Sequence, residues 1–191
     1  MGLGPPAGIV GRGLVSPAGK DTIMNNNNPF PQRKHPRFKT FDYSRNGMYF
    51  VTICTTEKAK ILSHIDSTGK IVLSKIGIEA KNQIDHISER FKGVEVTSYV
   101  IMPNHIHLVV YIHQRPVIIR AEEYSKMPSL CDVIGAFKSV TSRICWKKYG
   151  AKHIFQRSFY EHIIRSYESL SEIEQYIVDN PARWKTDQFF V

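Results

Sequence analysis

His105 and His107 flank a single apolar residue in the run Tyr99-Val100-Ile101-Met102-Pro103-Asn104-His105-Ile106-His107-Leu108-Val109-Val110. β-formers dominate on both sides of Met102-Pro103-Asn104, so the run reads as two strands joined by a short turn. Alternate strand residues point to one face, which projects both imidazoles together and sends Ile106 to the packed side. Two neutral imidazoles converging in this way can bind one divalent metal ion. Taken alone, H-x-H is a weak signal, because satisfied surface or core histidines explain most instances. Its place in a P-N-H-I-H-L-V turn–strand unit strengthens it.

A histidine pair needs a further ligand and a group to act on a substrate. Glu174-Gln175-Tyr176-Ile177-Val178-Asp179-Asn180-Pro181 offers candidates. On a helix, Tyr176 and Asn180 lie on one side, about 40° apart. The apolar stripe of that helix runs through Leu170, Ile173 and Ile177. Tyr176 falls at its flank, where a hydroxyl can reach across a cleft. Without His105 and His107, an interfacial tyrosine bonded to backbone would be the better reading.

The elements that must position these groups follow from periodicity. Tyr49 to Cys54 reads as a strand, and Ile76, Ala80, Ile84, Ile87 and Phe91 mark one amphipathic helix, with Gly93 where a terminating glycine would sit. Val94 to Ile112 holds the two strands above. A variable loop over roughly 114–128 precedes a second helix through Leu130, Val133, Ile134, Phe137, Val140 and Ile144. Ile154 to Arg165 reads as extended, and Ser166 to Asn180 as a third helix stopped by Pro181. The order β-α-β-β-α-β-α predicts an α+β, ferredoxin-like antiparallel sheet with helices packed on one face.

Composition bounds the partners. The chain has 191 residues, and 26 Lys+Arg against 17 Asp+Glu give a net charge of +9, which attracts polyanions such as nucleic acid. Cys54, Cys131 and Cys145 are too sparse for a disulfide framework or a cysteine zinc site, so a reducing cytoplasm is expected. No apolar run is long enough to span a membrane, and no secretory-signal layout is present. Residues 1–30 are rich in Gly and Pro and end in four asparagines, a segment expected to be disordered, with Met24 as an alternative start. Residues 31–191 are expected to form one catalytic domain. In the arm that follows Phe30, Arg33, Lys34, Arg37 and Lys39 interleave with Phe38, Phe41 and Tyr43. Such a pattern suits a nucleic-acid strand, since charge holds the backbone while rings stack on bases; a solvated tail docked by its aromatics is the alternative.

Together the residues resemble the single-tyrosine HUH transposases, and among them the REP-associated tyrosine transposases. The resemblance rests on Asp42-Tyr43-Ser44 to Thr52-Ile53-Cys54, on Met102 to His107, on Phe155-Gln156-Arg157-Ser158-Phe159-Tyr160-Glu161-His162, and on Tyr176-Ile177-Val178-Asp179-Asn180-Pro181 with Trp184. It implies the HUH endonuclease fold and a single-stranded DNA endonuclease and strand transferase. It further implies Mg2+ or Mn2+ on His105 and His107, and a 5′-phosphotyrosine formed on Tyr176. Related insertion-sequence enzymes carry a glutamine four residues after the tyrosine as third ligand; Asn180 holds that position here, with His162 and Gln156 as rival polar groups. DNA, single-stranded and flanking a hairpin, would contact the basic arm, Lys138 and Arg157, and the chain would act as a monomer or homodimer. Tyr160 and Tyr167 are spare nucleophiles, the first with a strand context that favours packing. Two other readings compete: a non-catalytic nucleic-acid-binding module, and a hydrolytic nuclease that activates water on the histidine-bound metal.

Overall fold

The computed structural model describes residues 46–113 and 128–190. The expected disordered segment 1–30, the basic arm with Arg33, Lys34, Arg37 and Lys39, and nearly all of the expected loop at 114–128 lie outside the described residues.

Four strands form one fully antiparallel sheet in the order β4-β5-β1-β6: β1 Gly47–Cys54, β4 Val94–Ile101, β5 His105–Ile112 and β6 Tyr160–Ile164. β1 and β5 are central, and their pleat divides the molecule. Tyr49, Val51, Ile53, Ile106, Leu108 and Val110 face one way, into a core shared with the helices α1 (Lys75–Asp85) and α3 (Leu130–Tyr149). Phe50 and Val109 face the other way and meet Ile173, Tyr176 and Ile177 of α4 (Tyr167–Asp179). Helices α1 and α3 thus share one face, as expected, and the C-terminal helix covers the other, which carries the histidines.

The helix boundaries follow capping chemistry. Ser129 and Asp132 form a reciprocal capping box at the start of α3, and Gly150 ends it in the left-handed region at φ 69°. Ser166 caps α4 by accepting from the Ser169 amide. Ser74 caps α1 in the same way, accepting from the Gly77 amide. Gly77 itself lies against the backbone of Leu62, where an added Cβ would stand 2.0 Å from the carbonyl oxygen.

Two details depart from expectation. The helix expected to run through Phe91 breaks at His86 (φ −95°, ψ 8°) into α1 and a short α2 (Ile87–Arg90). There the His86 imidazole lies 2.6 Å from the Asn82 carbonyl, the acceptor a continuing helix would have given to the backbone. The polar stretch around Ser67-Thr68-Gly69 is the turn of an added hairpin, β2 (Ser63–Ile65) with β3 (Ile71–Leu73). Asp66 ties that turn by accepting from the amides of Thr68 and Lys70, with Gly69 at φ 82°. Among the described residues, no helix is long and apolar enough to cross a membrane.

Candidate active site

β5 delivers His105 and His107 to the α4 side of the sheet, with ring centroids 4.5 Å apart, while Ile106 is buried on the opposite side. Both imidazoles are buried, and burial pushes the His107 ring down to about 3. His105 is held well below its ordinary value by burial, then by His107 and Lys58. At neutral pH both rings therefore offer lone pairs rather than charge.

The tautomer of His105 follows from its neighbour. Asn104 Nδ2 donates to the Phe189 carbonyl at 2.7 Å, which turns Asn104 Oδ1 toward His105 Nδ1 at 2.9 Å. An amide oxygen only accepts, so the His105 proton sits on Nδ1 and Nε2 is a bare acceptor. That Nε2 is buried and has no hydrogen-bond partner among the described residues. A buried acceptor without a partner needs an explanation, and a bound cation supplies one. On the neighbouring strand Thr52 stands opposite His107 in register, its hydroxyl 2.8 Å from Nδ1, which turns Nε2 of His107 into the site.

The chain beyond α4 folds back over this pair. Asp187 brings a carboxylate to the histidines, and the ligand atoms of His105, His107 and Asp187 all lie within 4.8 Å of one another. Its carboxylate accepts from the Phe189 amide at 2.6 Å and from Asn180 Nδ2 at 3.2 Å, and burial pushes its pKa up. Asn180 is almost fully buried, and its Oδ1 is another acceptor with no hydrogen-bond partner among the described residues. Two imidazole nitrogens and a carboxylate form a donor set suited to a divalent ion, with the Asn180 amide group beside that carboxylate.

Tyr176 completes the arrangement. Ile173 and Ile177 anchor α4 against Phe50, Val100 and Val109, and this seats the tyrosine hydroxyl 3.5 Å from His107 Nε2. Phe50 braces both rings, stacked on His107 at 5.1 Å and edge-on to Tyr176 at 6.1 Å. The hydroxyl is less open than its place at the flank of the stripe implied: Tyr176 is 7% exposed. Burial, and then the negative charge of Asp187, raise its pKa above the ordinary value.

Other candidates fall elsewhere. His162 faces the same side of the sheet, opposite Phe50 in register, but does not join the clustered donors. The backbone of Gln156 is pinned between β1 and α3: its amide donates to the Cys54 carbonyl and its carbonyl accepts from Lys138. The Lys138 ammonium also donates to the carbonyls of Arg157 and Ser158, at 2.9 and 3.3 Å, and so orders the segment before β6. Arg157 is exposed on that segment, and Tyr167 is 84% exposed at the far end of α4. Tyr160 lies in a strand, as expected, yet the residue is 40% exposed rather than packed. Asp187, Thr52 and Asn104 are the site residues that sequence reasoning missed; Asn104 lies in the histidine motif itself without its role being legible there, and no motif spacing ties Thr52 or Asp187 to the histidines.

Comparisons with known proteins converge on one family. The family model described as Transposase IS200 like matches residues 44–180. An uncharacterized protein of Haemophilus influenzae is 30% identical over 169 residues, covering 83% of this chain and 93% of that protein. A second H. influenzae protein, provisionally named a REP-associated tyrosine transposase, is 24% identical over 149 residues, covering 74% of each chain. The solved structure of a REP-associated tyrosine transposase bound to a REP hairpin superposes with a TM-score of 0.53 at 18% identity, covering 81% of this chain and 75% of that one. With a family match across most of its length and the same fold in a solved transposase, the chain belongs to the IS200-like tyrosine transposases, a family of DNA endonucleases and strand transferases.

Proposed function

We propose that this transposase cuts and rejoins single-stranded DNA by a metal-dependent transesterification in which Tyr176 is the nucleophile. The observation that carries this reading is the placement of the Tyr176 hydroxyl 3.5 Å from His107 in a buried, neutral histidine pair, whose His105 Nε2 has no hydrogen-bond partner among the described residues. His105, His107 and Asp187 would hold Mg2+ or Mn2+, with the Asn180 amide oxygen as a further donor. Bound there, the ion supplies Lewis-acid polarisation of a nonbridging phosphate oxygen.

The chain's own residues do the rest. Thr52 and Asn104 fix the ring orientations, Phe50 holds the tyrosine against His107, and α4 aims its hydroxyl at the space above the pair. The Tyr176 oxygen loses its proton to solvent and bonds to phosphorus as the P–O3′ bond breaks; the leaving 3′ oxygen takes up a proton, so a 5′-phosphotyrosine and a free 3′-hydroxyl remain. The phosphodiester energy is conserved in the new ester, so a 3′-hydroxyl can reverse the step and join strands without ATP. The substrate proposed is single-stranded DNA flanking a hairpin, in keeping with the net charge of +9 and with the hairpin held by the structural relative. One catalytic domain, 31–191, would carry these functions, its basic arm and Arg157 contributing backbone contacts.

The test is a cleavage reaction on labelled single-stranded hairpin DNA from the flanks of the gene, with Mn2+ or Mg2+, resolved on a denaturing gel. Wild type should give a metal-dependent protein–DNA adduct that is lost in Tyr176→Phe and in His105→Ala. Cleavage persisting in Tyr176→Phe without an adduct would establish the hydrolytic reading instead. Binding without cleavage by wild type on every hairpin tried would leave a binding module.

A further inference from the structure

Tyr160 opens β6, the edge strand next to β1, and stands opposite Thr52 in register. Thr52 is in turn opposite His107, so His107, Thr52 and Tyr160 form one cross-strand row on the catalytic face. Two strand spacings of about 4.8 Å put the Tyr160 backbone about 10 Å from that of His107, a separation that a tyrosine side chain and a nucleobase reaching from a phosphate over the histidines bridge together. Tyr160 is 40% exposed, and its hydroxyl has no hydrogen-bond partner among the described residues. Its aromatic neighbour is Phe189, at 6.4 Å, which also lies 4.6 Å from the His105 ring. Arg157, also exposed, precedes it by three residues. An open tyrosine ring beside a phosphate-handling site, with a cation close by in the chain, has the chemistry of a nucleobase platform.

We propose that Tyr160 stacks on the base next to the scissile phosphate and so positions the strand for attack by Tyr176, taking no part in bond making itself. This rests on the transesterification reading for the identity of the substrate, but its readout needs no chemistry. The partner surface is a π face, so the contact tolerates any base and requires that a base be present.

The experiment measures equilibrium binding in EDTA by fluorescence anisotropy, on labelled single-stranded hairpin oligonucleotides from the gene's flanks. Each flanking position in turn carries its natural base or an abasic residue. Tyr160→Ala should weaken binding to intact strands by about 5- to 150-fold, the range expected for loss of one base–aromatic stack. Tyr160→Phe should stay within about twofold of wild type, and one abasic position should erase the difference between wild type and Tyr160→Ala. Equal binding by Tyr160→Ala, or a Tyr160→Phe as weak as Tyr160→Ala, would overturn the proposal. So would a loss that persists at every abasic position. A wild type that binds no single strand overturns both readings, whereas stacking intact without a Tyr176 adduct overturns only the nuclease.

Discussion

Replacing Asp187 by asparagine separates its charge from its shape. The carboxylate is the one formal negative charge among the three clustered candidate ligands, the other two being neutral imidazoles. Losing a group that merely orients a ligand costs roughly 10- to 100-fold in metal affinity. Removal of a charged direct ligand should therefore reach about 100-fold, or about 2.7 kcal/mol. The amide keeps the volume, and a flip of Asn180 can restore its hydrogen bond, so in EDTA the variant should melt close to wild type. Differential scanning fluorimetry with Mn2+ at about 100 times the wild-type Kd should then stabilise wild type by about 2.7 kcal/mol. At roughly 2–4 °C per kcal/mol for a chain of this size, Tm rises by about 5–11 °C. At the same Mn2+ concentration Asp187→Asn would be only half saturated, gaining about 0.4 kcal/mol and about 1–2 °C. Equal Mn2+ shifts in the two proteins, with the shift abolished in Asn180→Ala, would refute the reasoning and make Asn180 the third ligand.

Three further outcomes follow from the same geometry. Thr52→Val removes the hydroxyl beside His107 Nδ1 and should weaken Mn2+ binding about 10- to 100-fold by calorimetry; an unchanged Kd would mean the ring is held by packing alone. Gly77→Ala gains about 1 kcal/mol of helix propensity but drives its Cβ into the Leu62 carbonyl, so a net loss of about 2 kcal/mol in urea unfolding is expected. A stabilised variant would contradict that close approach. The Glu79 carboxyl is held below its ordinary pKa chiefly by the hydrogen bond from Lys148, against opposing burial. A depressed carboxylate contributes stability above its unfolded pKa of about 4.3 and loses it as pH falls through the folded value. Lys148 is 56% exposed, so Glu79→Gln should cost at most about 1 kcal/mol at neutral pH, with the gap narrowing steadily as pH falls below the unfolded carboxyl value. A gap that stays the same size across the whole acid limb would assign the loss to packing.

What could be read in advance was what has a local period. A two-residue alternation placed His105 and His107 on one face, and a four-residue spacing joined Tyr176 to Asn180. The stripe of α3 marked that helix, while its ends at Ser129 and Gly150 were identified only by the capping box and the left-handed glycine of the structure. The three-residue strands β2 and β3 are too short to show alternation. The break at His86 depends on one imidazole reaching Asn82, which no apolar pattern records. Thr52 meets His107 only through the register of two strands far apart in sequence. Asp187 lies in an aperiodic tail beyond Pro181, where nothing in the spacing marks it as a ligand. Lys138 looked like one more cation on a basic helix; that it orders the segment before β6 follows from where that segment runs.

The most direct test of the central claim is the mass of the peptide that carries DNA after cleavage. Wild type is reacted with hairpin DNA and Mn2+, the strand is trimmed with nuclease, and the protein is digested with trypsin. Tyr176 lies in the tryptic peptide 166–183 and Tyr160 in 158–165, so the two tyrosines separate before fragmentation. The account predicts a nucleotide-sized mass increase on 166–183, with fragment ions placing it on Tyr176 rather than Tyr167. A modified 158–165 peptide, or cut DNA with no modified peptide, would contradict it.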